Sequence, residues 1–180
     1  LTSKAQYHLY PGRYDIVMLG DSLTERGKWQ DMFPDVRIGN RGISGDDTQG
    51  IIDRLGDVKR THAKKVFLMA GTNDLSEKIS PKTVSDNIIR IAEGLSEDGV
   101  IVVIQSTLYG NSVRKLKNEW ITQINDALLM WCNSNNIQFV NLNSIIAPNG
   151  FLPDEKTVDG IHLTIKGYEE WKSVISPFVK

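Results

Sequence analysis

Short apolar runs alternate along this chain with segments whose apolar residues are spaced as on one face of a helix. Runs of this kind, rich in Val and Ile, predict buried strands, and the wider spacing predicts amphipathic helices. The predicted strands are Asp15–Gly20, Val36–Gly39, Lys65–Ala70, Val100–Ser106 and Gln138–Leu142. The predicted helices are Thr24–Met32, Thr48–Leu55, Pro81–Leu95, Leu116–Asn133 and Ile165–Phe178.

Regular alternation of strands and helices predicts crossover connections, and hence a parallel sheet that is covered on both faces. The chain shows no internal repeat, low-complexity tract or linker. We therefore expect an α/β fold, with a single domain over residues 1–180. Its centre is a doubly wound, flavodoxin-like, five-stranded parallel sheet with helices on both faces. Ligands of such sheets bind outside the carboxyl ends of the strands, so the residues that follow each strand are the candidates for function.

The first strand ends abruptly in Gly20-Asp21-Ser22. A glycine lets the backbone turn sharply there, and the serine is then exposed at the sheet edge beside the start of a helix. Backbone N–H groups at such a position stabilise negative charge, which suits a nucleophile. Taken alone, the segment favours the alternative in which Ser22 is only the N-cap of the helix, because an isolated Gly-x-Ser is a weak motif.

Two further strand ends carry polar turns. The second strand is followed by Gly42-Ile43-Ser44-Gly45-Asp46, where two glycines allow a close approach to a ligand and Asp46, Asp47 or Thr48 can cap the next helix. The third strand is followed by Gly71-Thr72-Asn73-Asp74. An Asn side chain offers N–H donors that suit an oxyanion hole, although Asn and Asp in turns commonly bond their own backbone.

Asp159 and His162 lie three residues apart in the turn before the last predicted helix. This spacing can place the carboxylate against Nδ1 of the imidazole and leave Nε2 free to take a proton from a serine. A surface turn whose His only caps the helix is the alternative. Metal binding by the pair is disfavoured, because no second His or Cys pair has metal-ligand spacing. His8 and His62 have no such context, and we expect structural or solvent-facing roles for them.

Taken together, these four segments resemble the sequence blocks of the SGNH hydrolase superfamily, also called GDSL esterases and lipases. The blocks are Gly20-Asp21-Ser22-Leu23, Gly42-Ile43-Ser44-Gly45-Asp46, Gly71-Thr72-Asn73-Asp74 and Asp159-Gly160-Ile161-His162, in the family's order. The chain is similar to the compact members of the superfamily, near the platelet-activating-factor acetylhydrolase catalytic subunits and bacterial O-acetylesterases. The G-x-S-x-G elbow of ordinary α/β-hydrolases fits less well, because Thr24 stands where that motif has its second glycine.

The resemblance implies a serine esterase with the catalytic residues Ser22, Asp159 and His162. It also implies an oxyanion hole made by the backbone N–H groups of Ser22 and Gly45 and the side-chain amide of Asn73. No metal or organic cofactor is required by this mechanism. Asp21, Asp74 and Arg41 are expected to be structural.

The expected substrate is a small molecule or carbohydrate that carries a short acyl ester, most plausibly acetyl, because no long apolar insertion predicts a lid for lipid chains. Asp21, Leu108, Tyr109 and Trp29 are candidates for the substrate pocket. The alternatives are a lysophospholipase or thioesterase of the same superfamily, and a flavodoxin-like binding domain without chemistry.

Composition and charge also limit the classes of partner that we expect for this chain. The chain has 21 Lys and Arg residues and 22 Asp and Glu residues, which gives a net charge of −1. It lacks the excess of basic residues that is typical of nucleic-acid-binding proteins, so we do not expect nucleic acid as a partner. No apolar run is long enough to span a membrane. The single cysteine, Cys132, excludes an internal disulfide and is expected in the core. The N-terminus lacks the apolar segment of a signal peptide, yet the chain begins with Leu, so a cytoplasmic location and export with a leader removed both stay open, as does the oligomeric state.

Overall fold

A computed structural model of the protein describes residues 2–180 and contains one parallel sheet. The strands are β1 Ile16–Gly20, β2 Ile38–Gly42, β3 Lys65–Leu68, β4 Ile101–Gln105 and β5 Gln138–Val140. Every neighbouring pair is parallel, and the order across the sheet is β2-β1-β3-β4-β5. The chain therefore winds outward in both directions from β1 and β3, which confirms the predicted five-stranded α/β fold.

Helices connect the strands and end the chain. They are α1 Ser3–Leu9, α2 Ser22–Glu25, α3 Trp29–Met32, α4 Thr48–Asp53, α5 Leu55–Lys59, α6 Thr72–Ser76, α7 Pro81–Ser96, α8 Lys115–Asn135, α9 Asn143–Ile146 and α10 Ile165–Ile175. Two short 3₁₀ turns cover Asp154–Lys156 and Ser176–Phe178. None of the helices within residues 2–180 has both the length and the apolar character that a membrane crossing requires.

The core lies on both sides of the sheet, and β1 shows why its sequence is apolar throughout. Val17 and Leu19 pack into one cluster, which includes the apolar faces of α7 and α8. Ile16 and Met18 pack into the other cluster, which includes apolar residues of α3, α9 and α10. A strand that is buried on both faces has no polar position to alternate with, so it appears in the sequence as a continuous apolar run.

Several element boundaries differ from the sequence prediction. The helix predicted at Thr24–Met32 is interrupted and forms α2 and α3, with Gly27 in the break. The second strand was predicted at Val36–Gly39 but extends over Ile38–Gly42. Its central residue is Asn40, whose side chain donates to the backbone carbonyls of Glu25 and Gly27 at 2.9 and 3.2 Å. The polar residue is thus accommodated inside the sheet by bonds to the adjacent break between helices.

Candidate active site

Ser22 is delivered to the carboxyl edge of the sheet by the buried strand β1 and is the first residue of α2. The side chain of Asp21, not that of Ser22, caps this helix by accepting the Leu23 N–H at 2.9 Å. Ser22 is therefore not the N-cap. Gly20 is needed for the turn, because a Cβ there would lie 2.3 Å from Oγ1 of Thr24 and 2.6 Å from the Met69 carbonyl oxygen.

The Ser22 hydroxyl lies against the imidazole of His162, with 2.8 Å between Oγ and Nε2. Nδ1 of the same ring lies 2.7 Å from Oδ2 of Asp159. A neutral imidazole that donates from Nδ1 to the carboxylate presents Nε2 as an acceptor for the serine proton. The three residues thus form one continuous hydrogen-bonded chain.

The loop that holds Asp159 and His162 is closed by an antiparallel bridge between Thr157 and Leu163. Gly160 has a φ of +91°, a conformation that favours glycine, and allows the tight turn between the two residues. Oδ1 of Asp159 accepts the backbone N–H groups of Ile161 at 3.0 Å and His162 at 2.8 Å. Partial burial raises the pKa of Asp159, but these hydrogen bonds and the His162 side chain outweigh it and lower the pKa to about 2. The carboxylate is therefore charged at neutral pH.

Gly45 lies in the segment 43–47, here called the Gly45 loop, between β2 and α4. Its φ is +80° and no atom lies within 4 Å of a Cβ placed there, so backbone conformation rather than space favours glycine. The preceding residue, Ser44, donates its N–H to Oε2 of Glu25 at 3.0 Å, and its hydroxyl bonds the same oxygen. Asp47 ends the loop by capping α4, accepting the Gly50 N–H at 2.7 Å.

Asn73 lies in the first turn of α6. This helix begins directly after Gly71, whose φ is +121°. Its Nδ2 donates to the backbone carbonyl of Asp46 at 2.8 Å. An Asn amide carries two N–H donors, so one remains for a ligand while the other fixes the side chain to the Gly45 loop. The bond is made to a residue on a different strand connection, so Asn73 does not form the local turn that its sequence context also allowed.

Two buried charged side chains secure the same region. Asp74 accepts the N–H and hydroxyl of Thr48 at 3.0 and 2.6 Å, and its burial raises the pKa of its carboxyl group. Arg54 donates from Nε to Oδ2 of Asp46 at 2.7 Å and from a terminal nitrogen to the Gly20 carbonyl at 3.0 Å. No sequence motif singled out Arg54 or Glu25, because the Gly20 carbonyl and the Ser44 side chain that they reach are distant in the chain. Asp74 is structural, as expected.

Arg41 is structural as well. Its guanidinium lies over the rings of Tyr7 and Tyr14, at 4.3 and 5.1 Å from their centroids. It also donates to the backbone carbonyls of Asn40 and Pro11. These contacts hold the N-terminal segment against the edge strand β2.

Three of the predicted pocket residues are almost completely buried in the protein interior. Trp29 is 1% exposed, donates its indole N–H to the Thr24 carbonyl and packs edge-on against Trp171, so assigning it to a pocket was wrong. Leu108 is 2% exposed and belongs to the core cluster of α10, so its assignment was wrong for the same reason. Asp21 is 1% exposed and faces inward to cap α2; burial raises its pKa to about 7.

Tyr109 is partly buried, and its hydroxyl shares a hydrogen bond of 2.7 Å with Thr122 of α8. It lines a cavity of about 250 Å³ together with Asn125, Phe139 and Asn143. Neither Ser22 nor His162 lines this cavity. Within residues 2–180 there is also no group of three or more His, Cys, Asp or Glu side chains that could hold a metal ion.

Proteins of known function include distant relatives of this chain. A platelet-activating factor acetylhydrolase IB subunit alpha1 from Rattus norvegicus is 25% identical over 169 residues, covering 86% of this chain and 70% of that protein. An N-acylneuraminate cytidylyltransferase from Streptococcus agalactiae is 23% identical over 129 residues, covering 72% of this chain. The chain spans only 31% of the length of that cytidylyltransferase.

Solved structures share the fold across nearly the whole chain. A GDSL-like lipase from Bacteroides thetaiotaomicron superposes with a TM-score of 0.82 at 24% identity, covering 97% of this chain and 93% of the other. A catalytic mutant of an acetylxylan esterase from Geobacillus stearothermophilus has a TM-score of 0.78 at 14% identity, covering 92% and 94%.

A family model covers the segment that contains the strands β2 to β5 and all four motifs. It is the model of the GDSL-like lipase/acylhydrolase family, and it matches residues 18–170. The match begins within β1, before Gly20, and continues beyond His162 into α10. The chain therefore belongs to the GDSL-like lipase/acylhydrolase family.

Proposed function

We propose that this protein is a serine esterase in which Ser22 is the nucleophile, His162 the general base and acid, and Asp159 the residue that orients the imidazole. The observation that carries the proposal is the continuous chain from Asp159 through His162 to the Ser22 hydroxyl, with contacts of 2.7 and 2.8 Å. An activated serine of this kind needs its hydroxyl within hydrogen-bond reach of a base, and the base in turn held by a third group.

In the first half of the reaction, Oγ of Ser22 attacks the ester carbonyl while its proton passes to Nε2 of His162. The charged Asp159 stabilises the imidazolium that results. Collapse of the tetrahedral intermediate breaks the bond to the alcohol oxygen, which takes the proton from Nε2. In the second half, water attacks the carbonyl of the acyl-enzyme while Nε2 of His162 takes its proton. The proton then passes to Oγ, and the carboxylic acid and free Ser22 are released.

The proposed oxyanion hole has three donors, the backbone N–H groups of Ser22 and Gly45 and the second N–H of the Asn73 amide. Ser22 N–H is in the first turn of α2, where backbone donors have no partner within the helix. The Asn73 side chain is already oriented by its bond to Asp46. Donors that are fixed before the reaction stabilise developing negative charge without the cost of reorganisation.

We further propose that the acyl group is a short one, acetyl, and that the alcohol is polar, such as a carbohydrate. The connections from the strands to the following helices are short, the longest being residues 106–114, and none of them is a long apolar insertion that could cover a lipid chain. The names of the related acetylhydrolase and of the acetylxylan esterase of similar fold agree with an acetyl substrate.

The direct test is labelling with a fluorophosphonate probe followed by hydrolysis of p-nitrophenyl esters of increasing acyl length. We expect wild-type protein to be labelled, Ser22→Ala to be unlabelled, and the activity to be highest with acetyl or another short acyl group. Ser144→Ala is a suitable control, because Ser144 is an exposed serine whose hydroxyl bonds the Asn141 carbonyl. Equal labelling of Ser22→Ala would refute the assignment of the nucleophile and favour a binding domain without chemistry.

A panel of acyl donors separates the substrate classes. Peak activity with long-chain esters or lysophospholipids would contradict the acetyl assignment and indicate a lysophospholipase. Preference for acyl-CoA would indicate a thioesterase. Mass spectrometry of the acids released from acetylated glycans then identifies the natural class of alcohol.

A further inference from the structure

The Gly45 loop is joined to the nucleophile strand by a buried arginine that belongs to none of the four motifs. Arg54, near the end of α4, is 4% exposed. Its guanidinium donates from Nε to the carboxylate of Asp46 at 2.7 Å and from a terminal nitrogen to the carbonyl of Gly20 at 3.0 Å. Gly20 is the last residue of β1, two positions before Ser22. One planar group thus links the loop to the strand end that carries the nucleophile.

Asp46 connects this arginine to both of the proposed donors outside α2. It follows Gly45 directly in the chain, and its backbone carbonyl accepts Nδ2 of Asn73 at 2.8 Å. The Asp46 N–H donates to the Ile43 carbonyl at 3.1 Å, and the Ile43 N–H donates to Gly20 at 3.1 Å. The position of Asp46 therefore determines where the Gly45 N–H and the Asn73 amide lie relative to the end of β1.

We propose that Arg54 is a positioning residue, which fixes the Gly45 and Asn73 donors of the oxyanion hole relative to Ser22 by bonding Asp46 and Gly20 together. The inference rests on the proposed esterase function and adds a residue to it that does not touch the substrate. Arginine suits the role because its rigid fork of donors reaches two acceptors at once, whereas a lysine supplies a single charged point on a flexible chain.

A purely structural arginine predicts a different pattern of mutational effects. Removing one partner of a buried ion pair lowers stability wherever the pair lies, but a loss of stability alone does not change the kcat of the molecules that remain folded. A positioning arginine acts on the rate through Asn73 and the Gly45 loop. Its substitution then has a smaller effect once the Asn73 amide has been removed, because part of what it positions is already gone.

The test measures kcat and KM for Arg54→Lys in the wild-type and Asn73→Ala backgrounds, with p-nitrophenyl acetate as substrate. We expect Arg54→Lys to lower kcat about 10- to 100-fold in the wild-type background, the usual result of displacing catalytic groups by about 1 Å, with little change in KM. In the Asn73→Ala background we expect a clearly smaller loss, so that the two substitutions deviate from additivity by more than about twofold.

Arg60 provides a matched control, because its guanidinium also bonds a backbone carbonyl and a carboxylate. It donates to the backbone carbonyl of His8 at 2.7 Å and lies 3.5 Å from the carboxylate of Asp57, but its side chain is 50% exposed at the end of α5. Arg60→Lys should leave kcat unchanged. If Arg54→Lys does not fold, Asp46→Asn removes the carboxylate while keeping the backbone carbonyl, and it should reproduce the loss of kcat and the non-additivity with Asn73→Ala.

Equal losses of kcat in both backgrounds, or a kcat for Arg54→Lys that matches Arg60→Lys, would overturn the positioning role. Ser22→Ala is measured beside these variants to keep the two proposals apart. If wild-type turnover does not depend on Ser22, the esterase function fails and the role of Arg54 falls with it. If turnover depends on Ser22 but the losses are additive, only the positioning role is refuted.

Discussion

The candidate active site joins two regions that are held in opposite ways. The side that carries Ser22 is built at the end of the buried strand β1, where Asp21 and the guanidinium of Arg54, which reaches there from the end of α4, are almost completely inaccessible to solvent. The acid–base side is a surface loop, in which the side chain of Asp159 is 49% exposed. Rigidity comes from the packed sheet on the first side and from local hydrogen bonds on the second.

Asp21 in the buried region and Asp159 in the exposed loop show how this difference changes the pKa of a carboxyl group. At Asp21 desolvation dominates, the carboxylates of Asp46 and Asp74 add to it, and backbone hydrogen bonds offset it only in part, so the pKa rises to about 7. At Asp159 desolvation is outweighed by two backbone N–H groups and the imidazole, and the pKa falls to about 2. The exposed loop thus keeps the charged carboxylate that the proposed base His162 requires, while burial at Asp21 favours the neutral form.

The largest effect is expected from neutralising the carboxylate of the exposed side. Asp159→Asn should lower kcat about 10³- to 10⁴-fold, because an amide at this position no longer holds the imidazole with Nε2 as acceptor or stabilises the imidazolium. The measurement is steady-state hydrolysis of p-nitrophenyl acetate. Asp154→Asn, an exposed aspartate in the preceding 3₁₀ turn, is the control and should retain full activity. If kcat of Asp159→Asn lies within about tenfold of the wild-type value, the carboxylate of Asp159 is not required for catalysis.

On the buried side, Asn73→Ala should lower kcat about 10²- to 10³-fold by removing one proposed oxyanion donor. The variant should fold, because the side chain makes one hydrogen bond to Asp46, and a bond of this kind contributes about 1 kcal/mol to stability. Kinetics and the urea-unfolding midpoint are measured together. Asn87→Ala is the control for the loss of one structural hydrogen bond, because Asn87 of α7 donates to the Thr48 hydroxyl. This variant should leave kcat largely intact. Equal losses in the two variants would contradict the assignment of Asn73.

The smallest effect concerns stability rather than rate. Because the pKa of Asp21 is raised from 3.8 to about 7, its contribution to stability is present below pH 3.8 and is lost as pH rises through about 7. The loss is about 1.4 kcal/mol per pH unit within that window. Asp21→Asn keeps an oxygen to cap α2 and removes the titration, so its free energy of unfolding should fall less between about pH 5 and about pH 7 than that of wild type.

Urea unfolding at several pH values checks this expectation. Asp159→Asn shows the opposite sign, because the contribution of Asp159 is present above pH 3.8 and is lost as pH falls toward about 2. Its exposure to solvent makes that loss smaller than the full shift in pKa implies. Parallel pH profiles of wild type and Asp21→Asn would contradict the buried, proton-binding state of Asp21.

The sheet and the four motif segments could be predicted because their signals are local. A strand buried on both faces is apolar along its length, and the residues after parallel strands meet at one edge of the sheet. The boundaries of β2 could not be predicted, since the side-chain N–H groups of Asn40 are satisfied by carbonyls near Gly27, which lie more than ten residues away in sequence. Likewise, Trp29 is close to Ser22 in sequence, but the break after α2 directs its ring into the core.

Arg54 and Glu25 could not be predicted either, for a related reason. Glu25 bonds Ser44 across two different strand connections, and Arg54, although close to Asp46 in sequence, also reaches the carbonyl of Gly20 at the end of β1. Residue type and spacing indicate that a charged side chain is present, but they do not indicate which distant carboxylate or amide it reaches. The catalytic roles of Ser22 and His162 remain predictions until the variants are measured.

The hydrogen bond between Ser22 and His162 spans 140 residues of sequence. A chain emerging from the ribosome therefore exposes its serine long before it has made the base, and a contact of such separation forms only when most of the domain has collapsed. Under the proposed mechanism, Ser22 is an ordinary alcohol until His162 has been synthesised and packed against it. Covalent labelling of Ser22 would consequently report the arrival of the complete native state during refolding.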